Sequence, residues 1–340
     1  MKIIAPCHDI SLVNADCLRY MASMPDSSID LIVSDPPYFG VKTNDWDNQW
    51  PNVPLYLEWM ERVMTQMVRI LKPNGSIYLF SGHKYAADIE ILMRKHFNVL
   101  NNITWAKPTG IFRRGRVEDL RTYAPSTERI LFAEQYNAEK YAQGGLLSYT
   151  DKCNKLAHKI YAPLIEYFKK AREIAGVSAA QIHAATGSQM CSHWFSYSQW
   201  QLPTEQHYRK LQPLFNGALN REYSNLKDEY EARKKEYQGL KKEYQGLRRS
   251  FYVTKHDQYI DVWNFAPVPY YSGKHPCEKP AEMIDHILLA SSREGDVVFD
   301  AFMGSGSTPL ACQRLNRKFI GCEMDLGYFD EIVKKLRSEP

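Results

Sequence analysis

The sequence lacks the features that mark several protein classes. None of its seven cysteines is spaced C-x-x-C from another, so neither a zinc site nor a thioredoxin-type redox pair is supported, and no metal is predicted. No run of about 18 apolar residues occurs, and no apolar signal-peptide segment is found near the first residue. Scattered thiols in odd number predict a soluble, cytoplasmic protein with reduced cysteines and no membrane partner.

A strong charge of one sign is also missing. Lys and Arg total 43 against 39 for Asp and Glu, which leaves a net charge of +4. This mild basicity is compatible with a nucleic-acid partner without establishing one. No G-x-x-x-x-G-K-[ST] motif occurs, so a phosphate-binding NTPase loop is not indicated. The 340 residues suffice for one large domain and a smaller module.

Strand-like and helix-like stretches alternate at both ends of the sequence. Ile29–Ser34 predicts a buried strand, and Tyr56–Leu71 predicts a helix that ends before the Pro and Gly of residues 72–75. This alternation predicts an α/β protein with a doubly wound, Rossmann-like parallel sheet. The other predicted strands are Ser76–Phe80, Asn101–Trp105, Arg129–Ala133, Val297–Ala301 and Lys318–Cys322.

The middle of the chain has a different character and is interpreted as an insertion. The predicted segments are one half of the α/β domain at 1–136, a mainly helical insertion at 137–218, a heptad-repeat helical arm at 219–251 and the other half at 252–340. The arm repeats KKEYQGL and spaces three tyrosines seven residues apart. Its two glycines each cost about 1 kcal/mol of helix propensity, so we expect tertiary packing or a partner helix to hold it.

The first motif with chemical meaning is Asp35-Pro36-Pro37-Tyr38, directly after the strand Ile29–Ser34. Ligand sites of open α/β sheets lie at the carboxyl ends of strands. Two prolines stiffen the turn and remove two N–H donors, which leaves carbonyls, a carboxylate and an aromatic ring for a ligand. The alternative is a plain turn in which Asp is only a turn residue.

The second motif runs from Phe299 to Thr308, where a predicted strand enters a Gly-x-Gly turn and then a helix. Glycine permits positive φ and lets the backbone approach a ligand closely. Glu323 follows the next predicted strand, where a carboxylate can bind ribose hydroxyls. This combination predicts a nucleotide-type site, although many βα turns contain a lone G-x-G.

Together, D-P-P-Y at 35–38 and F-M-G-S-G at 302–306 resemble the catalytic and S-adenosylmethionine motifs of the DNA amino-methyltransferases. The catalytic motif comes first, which resembles the circularly permuted β group of bacterial and phage enzymes. Residues 14–18 and the H-P-C-E-K-P of 275–280 are similar to further segments of this family. The resemblance covers residues 10–135 and 255–335, and it makes the insertion the target-recognition module.

The resemblance implies a role for each matching residue. Asp35 and the Pro36 carbonyl should accept hydrogen bonds from the target amino group, and Tyr38 should stack on a base flipped out of the duplex. The residues expected to bind S-adenosylmethionine are Asp16, Lys279, Asp300, Phe302, Gly304, Ser305, Gly306 and Glu323. For Lys279, a surface lysine at the start of a helix is the alternative.

Two segments are candidates for DNA contacts. The basic stretch that contains Arg113, Arg114 and Arg116 suits phosphates, or is a solvated surface. Residues 168–200 are similar to a helix-turn-helix, or form an ordinary helical hairpin. In the first case, the start of the recognition helix would supply the base-reading residues Ser188, Gln189, Ser192 and His193.

The predicted function is methylation of adenine N6 in double-stranded DNA, because the family uses Asp mainly for adenine and Ser mainly for cytosine N4. Cytosine-N4 methylation is the first alternative. Methylation of RNA or protein, and a DNA-binding regulator with an inactive fold, are the others. The sequence leaves no segment for a nuclease domain, so a restriction endonuclease would be a separate chain. A homodimer through the heptad arm is a further possibility.

Overall fold

A computed structural model describes residues 2–41, 43–107, 121, 123, 125–138, 149–197, 199–246, 248–253 and 260–338. Arg113, Arg114 and Arg116 lie outside these residues. The chain divides into two compact units, formed by residues 1–141 with 249–340 and by residues 142–248. Within the described ranges, no helix is both long and apolar enough to cross a membrane.

The first unit contains, in its described part, a nine-stranded sheet with the order β1-β2-β9-β8-β3-β4-β6-β5-β7. The five neighbouring strands from β2 to β4 are parallel. On one side β1 adds an antiparallel pair, and on the other β6 and β5 add antiparallel pairs before the short β7, which is parallel to β5. The strands are β1 (Lys2–Cys7), β2 (Ile10–Asn14), β3 (Ile29–Ser34), β4 (Leu71–Gly82), β5 (Phe97–Ala106), β6 (Thr127–Gln135), β7 (Val262–Trp263), β8 (Val297–Asp300) and β9 (Lys318–Glu323).

Helices cover both faces of this sheet, so it has two hydrophobic cores. On β3, Leu31 and Val33 point into one core, whereas Ile32 points into the other, because successive side chains of a strand alternate between faces. One face is covered by α1 (Cys17–Ala22), α2 (Val53–Ile70) and α3 (Ala86–Met93), and the other by α9 (Ala281–Ser291), α10 (Ser307–Arg314) and α11 (Leu326–Ser338). The predicted doubly wound α/β class is confirmed.

The strands that carry the two motifs are neighbours in the sheet. β3 pairs in parallel with β8 through Leu31 with Val298 and Ile32 with Phe299. From β3 the chain continues to β4 on one side, and from β8 it continues to β9 on the other. This reversal creates a crevice at the carboxyl ends of the strands, where open α/β sheets bind ligands. The circular permutation itself stays a prediction.

The second unit is helical in its described part and has its own core. Its helices are α4 (Tyr149–Ala175), α5 (Ala179–Thr186), α6 (Cys191–Phe195), α7 (Glu205–Leu214) and α8 (Tyr223–Gly246). The heptad tyrosines of α8 pack on α4, since the rings of Tyr230 and Tyr237 lie 5.7 and 5.9 Å from that of Tyr161. Arg233, which interrupts the heptad seam, donates to the Ile160 carbonyl at 2.8 Å. Tertiary packing therefore holds the repeat helix.

The segment predicted as a helix-turn-helix contains two short helices, α5 and α6, joined by a turn. α5 is capped at its start by Ser178, whose side chain forms a capping box with that of Gln181, and at its end by Gly187 with φ +73°. The base-reading candidates are spread over the turn and the start of the five-residue α6: Ser188, Gln189, Ser192 and His193. In the turn, the Ser188 hydroxyl accepts the Met190 N–H at 3.3 Å. The DNA-reading role of these residues stays a prediction.

Candidate active site

The carboxyl ends of β3 and β8 open into a cavity of about 780 Å³, a volume typical of small-molecule sites. The cavity brings the two predicted groups together, because both line its wall. The lining residues among them are Asp16, Asp35, Pro36, Pro37, Tyr38, Lys279, Asp300, Phe302, Gly304, Ser305 and Glu323. Gly306 is not part of this wall.

The turn after β8 needs glycine at two positions for two different reasons. Gly304 and Gly306 have φ values of +47° and +84°, which side chains disfavour. A Cβ on Gly304 would lie 3.1 Å from the His275 ring, at the cavity, whereas one on Gly306 would lie 3.1 Å from the Ile332 side chain in α11. Gly304 therefore shapes the cavity, and Gly306 lets the turn pack on a helix.

Two carboxylates lie in the part of the cavity that is formed by the ends of β8 and β9, which we call the cofactor half. Asp300 accepts hydrogen bonds from the Thr308 hydroxyl at 2.8 Å and the Phe302 N–H at 3.0 Å. Burial nevertheless raises the pKa of Asp300 to about 7. Glu323 accepts the Gly304 N–H at 2.9 Å, and burial also raises its pKa. Two desolvated acids in one wall suit a ligand that carries positive charge.

Aromatic rings close the side of the cavity next to the glycine turn. The His275 ring stacks on Trp46 with centroids 6.2 Å apart and meets Tyr328 edge-on at 4.5 Å. All three rings line the cavity. On the same wall, Asp16 caps α1 by accepting the Arg19 N–H at 2.9 Å. In the sequence, His275 stood out only as part of the H-P-C-E-K-P segment, and no pattern indicated Trp46 or Tyr328.

In the catalytic half, both oxygens of Asp35 have partners. Oδ1 accepts the Tyr38 hydroxyl at 2.7 Å, and Oδ2 accepts the Lys279 ammonium at 2.5 Å. Burial raises the pKa of Asp35, and Lys279 counteracts this rise. Lys279 is 7% exposed, which excludes the alternative of a surface lysine. It contacts the catalytic motif, and its predicted cofactor role stays a prediction.

Glu128 on β6 extends this cluster. Its Oε2 lies 3.4 Å from Lys279 Nζ and 3.0 Å from the Tyr38 hydroxyl, and its Oε1 accepts the Lys107 ammonium. Positive and negative groups therefore alternate from Lys107 through Glu128 and Lys279 to Asp35. Burial tends to raise the pKa of Glu128, but the two lysines lower it to about 2. For Lys279, the two carboxylates outweigh burial and raise the pKa.

Comparison with known sequences identifies the family. The sequence model of the N6/N4 DNA methylase family matches residues 29–335. The chain belongs to this family. It is therefore a DNA methyltransferase that uses S-adenosylmethionine.

Individual relatives are distant but match along almost the whole chain. Type II methyltransferase M.HpaI of Haemophilus parainfluenzae is 24% identical over 97% of this chain and 75% of its own length. DNA adenine methyltransferase YhdJ of Escherichia coli is 24% identical over 96% of this chain and 82% of its own length. Among solved structures, the cytosine-N4-specific PvuII DNA methyltransferase is 14% identical, with a TM-score of 0.54 over 97% of this chain and 86% of that one. This last likeness shows the shared fold.

The cavity of the methyltransferase fits S-adenosylmethionine. Bound there, S-adenosylmethionine supplies a methyl group on a positively charged sulfur, and it also carries an amino group. The desolvated carboxylates of Asp300 and Glu323 complement such positive charges, and the bare backbone at Gly304 allows close approach. These residues would hold the cofactor next to Asp35, with Asp16 and Phe302 on the same wall.

A substitution at Asp300 should separate cofactor binding from stability. Its pKa lies above the ordinary 3.8, at about 7, so the stabilising protonated form is lost as the pH rises from about 4 to about 7. At about 1.4 kcal/mol per pKa unit, ionisation costs the ligand-free fold up to about 4 kcal/mol. We expect Asp300→Asn to raise the melting temperature at about pH 8, where Asp300 is ionised.

The same variant should bind S-adenosylmethionine more weakly, by about tenfold or more, because it loses a charge-assisted contact. Calorimetric titration and thermal melts at about pH 5 and pH 8 measure both effects. In the wild-type protein, cofactor affinity should fall as the pH drops below about 7. Equal affinity in both proteins at about pH 8 would contradict a binding role for this carboxylate.

The methyltransferase site also contains residues that the sequence analysis missed. Glu128 and Asp47 were not singled out, although both contact the catalytic motif. Lys107 was expected only among the basic residues of the stretch that suits phosphates, whereas its ammonium bonds Glu128. Glu128 stands directly before the predicted buried strand Arg129–Ala133, and a carboxylate at such a place needs a partner when it is buried. This position could have indicated Glu128 in the sequence. For Asp47, the only signal was its place nine residues after Tyr38 in an aromatic, acidic loop.

Proposed function

We propose that the chain transfers a methyl group from S-adenosylmethionine to N6 of an adenine flipped out of double-stranded DNA. The observation that carries the proposal is the pair of acceptors formed by the Asp35 carboxylate and the Pro36 carbonyl, in one cavity wall with the glycine turn of the cofactor half. A base must leave the duplex to reach such a cavity, and Tyr38 offers it an aromatic face.

The proposed roles follow from the chemistry of the amino group. An exocyclic amine is a poor nucleophile because its lone pair is delocalised into the ring. Asp35 and the Pro36 carbonyl each accept one N–H, which favours a tetrahedral nitrogen with an available lone pair. The nitrogen then attacks the methyl carbon in line, the bond between that carbon and the cofactor sulfur breaks to leave a neutral thioether, and the nitrogen releases its extra proton to water. The contribution of these residues is positioning and electrostatic stabilisation.

The proposal of adenine rests on the residue at the first position of the motif. Asp35 occupies it, and the preceding serine is used elsewhere: Ser34 is buried, and its hydroxyl accepts the Ala301 N–H at 3.1 Å and so links β3 to the end of β8. Ser34 does not line the cavity. The name of the relative YhdJ, a DNA adenine methyltransferase, supports the same base.

We assign target recognition to the helical second unit. The Type II name of the relative M.HpaI supports a role as the modification enzyme beside a separate restriction endonuclease. The tyrosines of α8 that would form the interface of the proposed homodimer pack on α4 of the same chain. The heptad pattern therefore no longer supports a homodimer.

The decisive experiment incubates the purified protein with methyl-labelled S-adenosylmethionine and unmethylated double-stranded DNA, followed by nucleoside analysis. We expect the label in N6-methyladenine. Label in N4-methylcytosine would overturn the base and keep the site. Cofactor binding without incorporation into DNA of varied sequence would overturn the proposal and favour RNA, protein or a regulatory role.

A further inference from the structure

Asp47 bonds four consecutive backbone N–H groups directly after the proline pair of the catalytic motif. Its carboxylate accepts the N–H of Tyr38 at 2.8 Å, of Phe39 at 3.0 Å and of Val41 at 2.7 Å. Its backbone carbonyl accepts the N–H of Gly40 at 3.0 Å. The side chain is only 1% exposed, so these charge-assisted hydrogen bonds form away from water.

The backbone in this segment requires such a partner. Phe39 and Gly40 have φ values of +58° and +71°. The left-handed conformation costs a residue other than glycine about 1–2 kcal/mol. Successive N–H groups in turns of this kind form a concave anion-binding nest. The Asp47 carboxylate fills the nest and stabilises a conformation that the sequence of the segment disfavours.

A second side chain fixes the same turn from α2. The hydroxyl of Tyr56 donates to the Pro37 carbonyl at 2.9 Å, and its ring is 2% exposed. The neighbouring Pro36 carbonyl receives no hydrogen bond from any residue in the described part of the chain. Tyr56 and Asp47 thus hold the chain directly after the one carbonyl that the proposed function assigns to the substrate.

The short 3₁₀ turn that contains Asp47 also reaches the cofactor half. This turn, Asp45–Asp47, places the Trp46 ring on the His275 ring. His275 in turn lies against Gly304. One turn of the chain therefore contacts the catalytic motif directly and reaches the glycine turn through His275.

We propose that Asp47 and Tyr56 are positioning residues for methyl transfer. They set the direction of the Pro36 carbonyl and the place of the Tyr38 ring, and neither is required for binding of the cofactor. This inference rests on the proposed function, because it takes the Pro36 carbonyl as an acceptor for the target amino group. A displacement of about 1 Å in such a group is enough to slow a reaction about 100-fold.

The principal test is Asp47→Asn. An asparagine keeps the shape, but one of its two terminal atoms becomes an NH₂ group that faces a backbone N–H. We expect kcat to fall about 100-fold, while the Kd for S-adenosylmethionine changes less than about threefold. The matched control is Asp296→Asn, which alters an aspartate that accepts the Arg293 N–H at 2.8 Å and does not line the cavity.

Tyr56→Phe is a milder second variant, since it removes one oxygen and keeps the ring. We expect kcat to fall about tenfold, the loss of one oriented hydrogen bond, with a melting temperature lowered by only a few degrees and an unchanged cofactor Kd. Single-turnover methyl transfer, titration of cofactor sites and circular dichroism are measured on all variants. If Asp47→Asn does not fold, Tyr56→Phe decides.

Several outcomes overturn the inference. They are a wild-type kcat in either folded variant, or a loss of activity that only parallels a loss of cofactor sites. Failure of this inference can be distinguished from failure of the proposed function. The kcat values are measured as total methyl incorporation into DNA, which counts the label whichever base receives it. A wild-type product of N4-methylcytosine would therefore refute the base assignment and still allow the positioning residues to be tested.

Discussion

Asp35→Ala should lower methyl transfer to DNA by about 1000-fold or more, the scale seen when an enzyme loses an oriented group that acts on the reacting atom. The variant removes the carboxylate that we propose as an acceptor for the target amino group and leaves the Pro36 carbonyl as the remaining one. Binding of S-adenosylmethionine should change little, because Asp300 and Glu323 are untouched. The measurement is single-turnover methyl transfer beside calorimetric titration of the cofactor.

The fold should tolerate this loss because of Glu128. Once Asp35 is gone, Lys279 retains a carboxylate 3.4 Å away, so no buried ammonium is left without a counter-ion. The control is Asp26→Ala, which removes an exposed aspartate from an ion pair with Arg69 and should leave turnover unchanged. Substantial methyl transfer by Asp35→Ala would refute its role as acceptor.

The parts of this site that local sequence could predict are those whose chemistry and position lie in one segment. Asp35–Tyr38 and the turn with Gly304 each follow a short apolar run, rich in β-branched residues and bounded by turn residues, which predicted a buried strand. The carboxyl ends of parallel strands meet at one edge of a sheet, so their proximity followed from the α/β pattern. The structure places both in one cavity wall.

Glu128 could not be placed in the same way, because its position depends on strand order. After β4 the chain first forms β5 and then returns as β6, which lies between β4 and β5 and is antiparallel to both. That pairing sets Glu128 opposite Gly82, and a Cβ on Gly82 would lie 2.8 Å from the Tyr38 ring. No periodicity within residues 127–135 reports this register.

The helical unit shows the same limit. Spacing of the tyrosines predicted a seam along the repeat helix, and the seam exists, but its partner is α4, which begins 74 residues before α8. A heptad pattern specifies which side of a helix is buried and leaves the identity of the opposite helix open. Self-association and internal packing therefore looked alike in sequence.

Lys279→Met should move the pH dependence of methyl transfer to higher pH. In the wild-type enzyme, Lys279 lowers the pKa of both Asp35 and Glu128. Without it, two buried carboxylates face each other, and the pKa of Asp35 rises. A protonated Asp35 is a weaker acceptor for the amino group. The rate should fall about 100-fold at neutral pH and recover as the pH rises through the new pKa of Asp35.

Two further variants distinguish this electrostatic role from a structural one. Lys107→Met removes the lysine that contacts Glu128 and not Asp35, so it should shift the profile much less. Burial makes the largest contribution to the raised pKa of Asp35, and the negative charge of Glu128 adds to it. Adding Glu128→Gln to Lys279→Met removes that second contribution, so the double variant should regain part of the lost activity at neutral pH. A residue that only supports the fold would lower the rate equally at every pH. If the rate of Lys279→Met falls on the acid side at the same pH as the wild-type rate, this lysine does not set the pKa of Asp35, and the electrostatic role is refuted.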